Sequence, residues 1–359
     1  MAYGIYVHIP FCVQKCDYCD FLSLPGKPRI YMELYVEALI NEIRAFLDEN
    51  IPYDTIYIGG GTPTALPEEL LCAILSVLKP PANCEITVEA NPGTLSLAYL
   101  SDLINHGVNR LSLGLQTTKN HQLDAINRLH SFQDFVINYY CARLIGYTNI
   151  NVDLMFGLPG QTLEDWRSTL QTIIEIDPEH ISAYSLTPAE NTPLWDALEN
   201  KKIHLPCEET DRKMYHMAIE MLTAAGYIHY ELSNFAKPGY ESRHNVNCWQ
   251  CAPYRAFGLG GHSFDGKKRW RNAEDMAHYL ASYGIPHNVE TLSDTDIQAE
   301  TMILGLRLTK GVAESNIPPA LANTIETQIK KGLLTRRDNH VRFTALGLDL
   351  ANQVFSEFI

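Results

Sequence analysis

Gly4–Phe21 reads GIYVHIPFCVQKCDYCDF, a short alternating apolar segment that runs directly into three cysteines spaced C-x3-C-x2-C. Cys12, Cys16 and Cys19 therefore share one loop at the end of a predicted strand. Zinc usually draws two close cysteine pairs, or cysteines and histidines in two clusters. A cubane ligated wholly by protein takes four cysteines. Three thiolates on one loop suit a cubane iron–sulfur cluster with one iron left open for an exchangeable ligand. Three unconnected free thiols in a reducing compartment are the plain alternative.

Outward from this loop, strands and helices alternate to about residue 232. Gly4–Ile9 predicts a strand, and Tyr31–Asp48 places Leu34, Ala38, Leu39, Ile43 and Phe46 on one helical face. Thr55–Ile58 is a β-branched run that ends in Gly59-Gly60-Gly61. Further strands are predicted at Glu85–Ala90, Arg110–Gly114, Asn149–Phe156 and His180–Leu186. Helices are expected over Pro67–Leu78, from the N-cap Ser96 to Gly107, over Phe132–Leu144, from Thr162 to Glu175, and over Cys207–Ala225, with Thr162 and Asp165 spaced as a capping box. Strands separated by helices imply parallel βαβ units. Six units predict an α/β fold, a partial (β/α)6 TIM-like barrel rather than a closed eightfold one. In such barrels the chemistry gathers at the C-terminal ends of the strands. Cys12, Gly59–Gly61, Glu89, Asn91, Gln116 and Thr187 fall there and Asp153 lies within the fifth strand, and they are expected to face one mouth.

Beyond the barrel, residues 233–272 read as a loop-rich aromatic connector centred on GLGGHSFDG, and residues 273–359 as a smaller C-terminal α+β domain. There a helix over Pro319–Lys331, the strands LLTRR and VRFT about the turn Asp338-Asn339, and a last helix from Ala345 resemble a winged helix. Such modules often bind DNA. The formal net charge of −14, with 42 acidic against 28 basic residues, repels phosphate backbones. A packing or docking role is therefore expected, with no nucleic-acid partner. Nine cysteines, an odd number, argue against a disulfide framework. The N-terminus has no basic n-region or signal h-region, and no run of apolar residues reaches membrane-spanning length. The expected location is the cytoplasm.

C-x3-C-x2-C with Tyr18 before its last cysteine resembles the signature of the radical S-adenosylmethionine (SAM) family. The longer string YVHIPFC…CDYCDF is similar to one branch of it, which holds the oxygen-independent coproporphyrinogen III oxidases and the HemW-like haem chaperones. Oxidases carry a further cysteine two residues after the third, where this chain has Phe21, as HemW-like proteins do. The resemblance implies that Cys12, Cys16 and Cys19 ligate a [4Fe–4S] cluster. It assigns Gly60, Gly61 and Thr62 of GGGTP to the edge that holds the SAM amine, and Tyr6, Glu89, Gln116, Arg128, Asp153 and Thr187 to further SAM contacts. GGGTP alone is equally a strand-to-helix turn, and no Lys-Ser/Thr follows to make it a Walker loop. When SAM is bound, this chemistry yields a 5′-deoxyadenosyl radical that abstracts hydrogen, with the protein orienting the reaction and excluding water.

A second constellation is His244-Asn245-Val246-Asn247-Cys248-Trp249. It resembles the HNxxYW haem-binding motif of HemW-like proteins, with Cys248 where tyrosine is expected. His244 is then a candidate haem ligand and Trp249 a cover for the porphyrin face. His244, Cys248, Cys251 and His262 are an alternative zinc set, and a satisfied loop is the plain reading. Cys72, Cys84, Cys141 and Cys207 read as small buried hydrophobes. The resemblance implies a haem chaperone that carries haem as cargo to respiratory acceptors at the membrane periphery, as a homodimer. The alternatives are the oxidase and a cluster-containing winged-helix regulator.

Overall fold

β1 (Tyr3–Ile9) is built on alternation. Ile5, Val7 and Ile9 are fully buried in the main hydrophobic core, while Gly4, Tyr6 and His8 turn toward the barrel interior. The computed structural model describes residues 3–359. β2 (Tyr53–Gly60), β3 (Glu85–Ala90), β4 (Arg110–Gln116), β5 (Ile150–Phe156) and β6 (His180–Ser185) follow in order, each pairing in parallel with the strand before it. Helices α1 (Arg29–Leu47), α2 (Glu68–Leu78), α3 (Leu97–Asn105), α4 (Phe132–Ile145), α5 (Leu163–Ile176) and α6 (Glu208–Ala224) alternate with the strands and cover them. Their starts obey local chemistry. Ser96 caps α3 through Tyr99 N–H, and Ser131/Asp134 and Thr162/Asp165 form full capping boxes on α4 and α5.

Both edges of the parallel run are extended, which leaves a partial barrel. The hairpin β7 (Ile228–Glu231) and β8 (Asn234–Ala236) adds antiparallel to β6. At the other edge β9 (Tyr254–Phe257) joins β1 in parallel, followed antiparallel by β10 (His262–Phe264), β11 (Lys268–Arg271) and β12 (His287–Thr291). The segment expected to be loop-rich therefore carries four short strands and helix α7 (Arg243–Trp249). Strands of three or four residues are too short for alternation to register in sequence.

The C-terminal module has its own core of Met302, Leu306, Ile325, Leu334, Val341 and Val354. It is built from α8 (Asp294–Gly305), α9 (Ala322–Lys330) and a three-stranded sheet, with β15 (His340–Phe343) between β13 (Val312–Ala313) and β14 (Leu334–Arg337). The helix expected from Pro319 opens with a 3-10 turn, and the last helix breaks at Leu350 into Ala345–Asp349 and Ala351–Ser356. Arg336 on the wing is already paired with Glu326 and Glu314. Backbone bonds Leu232 N–H to Arg307 O and Thr309 N–H to Tyr230 O, both 3.0 Å, fasten the module to β7. Among the described residues no helix is long and apolar enough to cross a membrane.

One buried carboxylate locks α1 to the segment after β9. Glu42 accepts from Gly258 N–H (3.0 Å), Asn272 Nδ2 (2.7 Å) and the Tyr279 hydroxyl (2.7 Å). Its removal would leave those donors buried and unpaired, at about 1–3 kcal/mol each when unrelieved. Glu42→Ala is expected to destabilise the chain by about 3 kcal/mol in denaturant unfolding, and a loss below about 1 kcal/mol would contradict this role.

Candidate functional site at the barrel mouth

Two glycines bring the first cysteine to the mouth. After Ile9 the chain stays extended through Phe11–Cys12, which pair in parallel with Leu24–Pro25. Gly61 N–H donates to Ile9 O and Thr62 N–H to Phe11 O, each at 2.8 Å, so GGGTP is drawn against the cysteine loop. A Cβ on Gly61 would stand 2.7 Å from Phe11 O and 2.9 Å from Cys12 Sγ. Gly60 has φ +115°, and a Cβ there would lie 2.7 Å from the His8 ring. Only glycine meets both demands. Thr62 Oγ1 then points at Cys12 Sγ, 3.6 Å away.

Cys12, Cys16 and Cys19 line one cavity of about 440 Å³ together with Gly60, Gly61, Thr62, Glu89, Gln116, Arg128, Asp153 and Thr187. Tyr6 is not in this lining. Its hydroxyl is engaged with His8 Nδ1 at 3.0 Å and its ring stacks on Tyr57, its register partner on β2. Arg128 crosses the site, with Nη1 3.4 Å from Cys16 Sγ and Nη2 donating to Asn91 Oδ1 (2.9 Å) and to Gly114 O. Its Nε is buried without a partner. Gln116 has φ +77° at a register shift between β4 and β5, a strained conformation of the kind that re-aims a side chain.

Sequence reasoning missed Tyr57, Tyr184 and Ser112, which also line the mouth. Tyr57 donates to Glu89 Oε1 at 2.7 Å, and Gly60 N–H donates to Glu89 Oε2 at 3.2 Å. Ser112 and Asn151 hold the two oxygens of Asp153 at 3.1 and 2.8 Å. The signal was available: Tyr57 and Ser112 share the inward parity of Gly59 and Gly114 on their strands.

The donor set can be tested against the groups it is expected to hold. A cubane binds each thiolate to a different iron, so its sulfurs stand farther apart than the ligands of one ion. Among the described residues no three His, Cys, Asp or Glu side chains converge tightly enough for a single ion. That includes His244, Cys248, Cys251 and His262. Three thiols facing one cavity, with Thr62 beside Cys12 and Arg128 beside Cys16, are the donor chemistry that a cluster takes. Burial pushes the Cys12 and Cys19 thiols up, so binding metal there must displace protons.

His244 and Trp249 lie at the opposite end of the barrel. His244 is buried against Gly4 and under Tyr57, with Nδ1 3.0 Å from Thr55 Oγ1. Burial, with the nearby Arg110 charge, lowers its pKa to about 4, so the ring is neutral. A second cavity of about 570 Å³ opens between the barrel floor and the C-terminal module, and Trp249 lines it while His244 does not. Burial raises the Cys248 thiol to about 11, which keeps it protonated rather than a ready thiolate.

Burial also lifts Glu89 to about 7, against the opposing pull of the Tyr57 hydrogen bond. A carboxyl held above its ordinary value stabilises the fold most below that value, and the contribution is lost as pH rises through about 7. In cofactor-free protein, raising the pH from about 4.5 to about 7.5 is therefore expected to lower the Tm of wild type relative to Glu89→Gln. A Tm difference that does not change with pH would contradict the shift.

Residues 6–173 match the family model of the Radical SAM superfamily. The chain is 37% identical to the heme chaperone HemW of Bacillus subtilis (strain 168), across 99% of this chain and 98% of that one. It is 35% identical to the heme chaperone HemW of Lactococcus lactis subsp. lactis (strain IL1403), across 99% and 96%. Among solved structures, coproporphyrinogen III oxidase (HemN) from Escherichia coli superposes with a TM-score of 0.85 at 24% identity, covering 99% of this chain and 90% of that one. At that identity the likeness is one of fold. With three cysteines, a glycine edge and inward polar residues around one mouth, the chain belongs to the HemW family, within the radical SAM superfamily.

Proposed function

We propose that this chain is a haem chaperone that holds a [4Fe–4S] cluster on Cys12, Cys16 and Cys19, binds SAM at the barrel mouth, and carries haem to respiratory acceptors. The observation that carries the reading is the single cavity shared by the three thiols, the Gly60-Gly61 edge, Glu89, Gln116, Arg128 and Asp153. In this reading Arg128 takes the SAM carboxylate, for which a guanidinium fork is the matching shape. Glu89, Gln116 and Asp153 serve its polar groups, with Thr187 at the rim. Tyr6 supports the mouth indirectly, by stacking on Tyr57. The bound group supplies radical chemistry when it is cleaved, while the residues of the mouth orient it and keep water out.

Phe21 favours a chaperone over an oxidase. It stands 64% exposed at the cavity rim, at the position where the resemblance gives oxidases a further cysteine. Residues 3–232 then form the barrel core, 233–272 carry the HNxxCW motif, and 273–359 close the second cavity. Haem in that cavity would sit far from the mouth. Along β2, Asp54 at one end and Gly60 at the other are separated by about 20 Å of strand rise. His244, from beneath the floor, would set the position of α7 and so of Trp249.

Anaerobically reconstituted protein supplied with SAM and reductant is expected to form no protoporphyrinogen from coproporphyrinogen III, and to take up haem. Trp249→Ala should weaken haem retention about tenfold, the equivalent of one good aromatic stacking contact. Appreciable decarboxylation would overturn the chaperone reading.

A further inference from the structure

We infer that Tyr57 is a positioning residue for SAM: its hydroxyl holds Glu89 as a carboxylate turned into the mouth, the state that accepts hydrogen bonds from the ligand. The inference deepens the reading that SAM binds at this mouth and rests on it. SAM presents an ammonium, ribose hydroxyls and a positively charged sulfonium. An ionised carboxyl serves each of them, whereas a protonated one loses its charge and part of its accepting capacity.

The seat of Glu89 is cut into β2. Gly59 leaves the space, since a Cβ there would stand 2.9 Å from Glu89 Oε2. Gly60 N–H donates to Oε2 at 3.2 Å, and the Tyr57 hydroxyl donates to Oε1 at 2.7 Å. One donor on each oxygen fixes the plane of the carboxyl and leaves further lone pairs for the cavity that Glu89 lines. The Tyr57 ring is itself held, stacked on Tyr6 at 6.3 Å between centroids and lying 5.2 Å from the His244 ring. Burial raises the Tyr57 phenol well above its ordinary value, so it keeps its hydrogen and remains the donor.

The groups around Glu89 leave its charge state balanced. Burial raises the carboxyl to about 7, and the Tyr57 hydrogen bond is the largest influence that opposes the rise. Asp153 on β5 adds to it, while the Gly60 N–H and Arg110 on β4 pull the other way. Tyr6 on β1 and Tyr184 on β6 are neutral, each raised by burial. Lys15, Asp20, Arg128 and the three cysteines line the same cavity. Removing the Tyr57 hydroxyl alone therefore moves Glu89 above 7, and the mouth then meets a cationic ligand with a neutral acid.

The test is Tyr57→Phe, which keeps the ring and its contacts. Infrared pH-difference spectra of the cofactor-free chain read the Glu89 carboxyl directly, its C=O stretch assigned by its absence from Glu89→Gln. The midpoint is expected near 7 in wild type and about one unit higher in Tyr57→Phe, the equivalent of one hydrogen bond to a charged group. Calorimetric titration of the anaerobic, cluster-loaded chain should show SAM binding about fivefold weaker in Tyr57→Phe at about pH 7, as the ionised fraction falls from about a half to about a tenth. The gap should close by about pH 9. In wild type itself SAM affinity should rise about tenfold between about pH 6 and about pH 8, beyond any change shared with Glu89→Gln. An unmoved carboxyl midpoint, a gap that persists at about pH 9, or a wild-type profile parallel to that of Glu89→Gln would each overturn the role of Tyr57 and leave SAM binding standing. No SAM binding by cluster-loaded wild type would overturn the reading of the mouth itself, and this inference with it.

Discussion

The contact on which the mouth depends is the approach of Gly61 to the first cysteine. Phe11 O and Cys12 Sγ leave no room for a Cβ there, and the two 2.8 Å backbone bonds from Gly61 and Thr62 tie the cysteine loop to the end of β2. Because β2 is paired with β1 on one side and β3 on the other, this clamp also fixes the thiols relative to Glu89. Glu89 in turn is held by Tyr57 and by the Gly60 N–H. The carboxylate and the thiol loop are thus positioned by adjacent residues of one glycine run. A side chain at either Gly60 or Gly61 would separate them.

The barrel has two ends with different chemistry. At the mouth, burial raises Glu89 and Asp153, and Arg128 spans from Cys16 to Asn91. At the floor, His244 and His180 are buried and neutral, with His180 held between Asn151 and the Tyr230 hydroxyl. Arg110 lies between these layers, almost fully buried. The closed end is plugged by α7, whose first backbone N–H groups, from Arg243 and His244, donate to the buried Glu85 carboxylate. The C-terminal module docks beside that plug, through β7 and through His216 with Asp349 at 2.9 Å. Arg336 faces Glu314 and Glu326, and the sheet packs on its own core.

Legibility in the sequence followed element length and chemistry. The six parallel strands are at least six residues long, and five of the helices between them were bounded by caps, glycines or clear apolar faces. These are signals that local physics writes into sequence. Cys12, Cys16, Cys19, Gly60 and Gly61 were legible because clustered thiols and consecutive glycines answer narrow chemical and steric demands. Glu89 and Gln116 were legible from their place at strand ends and Asp153 from its place within β5, whereas Arg128 came only through the family resemblance. What stayed hidden depended on contacts between distant segments. β9 pairs with β1 across some 250 residues of chain, and its four residues hold no period. Tyr6 and Tyr57 are register partners on inward positions, yet only Tyr57 reaches the mouth cavity. His244 reads as an available imidazole in its motif, yet Thr55 and Gly4, nearly 190 and 240 residues away in sequence, bury it.

The central claim is that three thiolates at this mouth hold a cubane whose remaining iron is open to SAM. The most direct measurement is iron and sulfide analysis of anaerobically reconstituted chain, joined to electron paramagnetic resonance of the reduced sample with and without SAM. The account predicts iron and sulfide at the content of one [4Fe–4S] cluster per chain, and a reduced signal whose g-values shift when SAM is added. Zinc in place of iron, or a cluster signal indifferent to SAM, would contradict it.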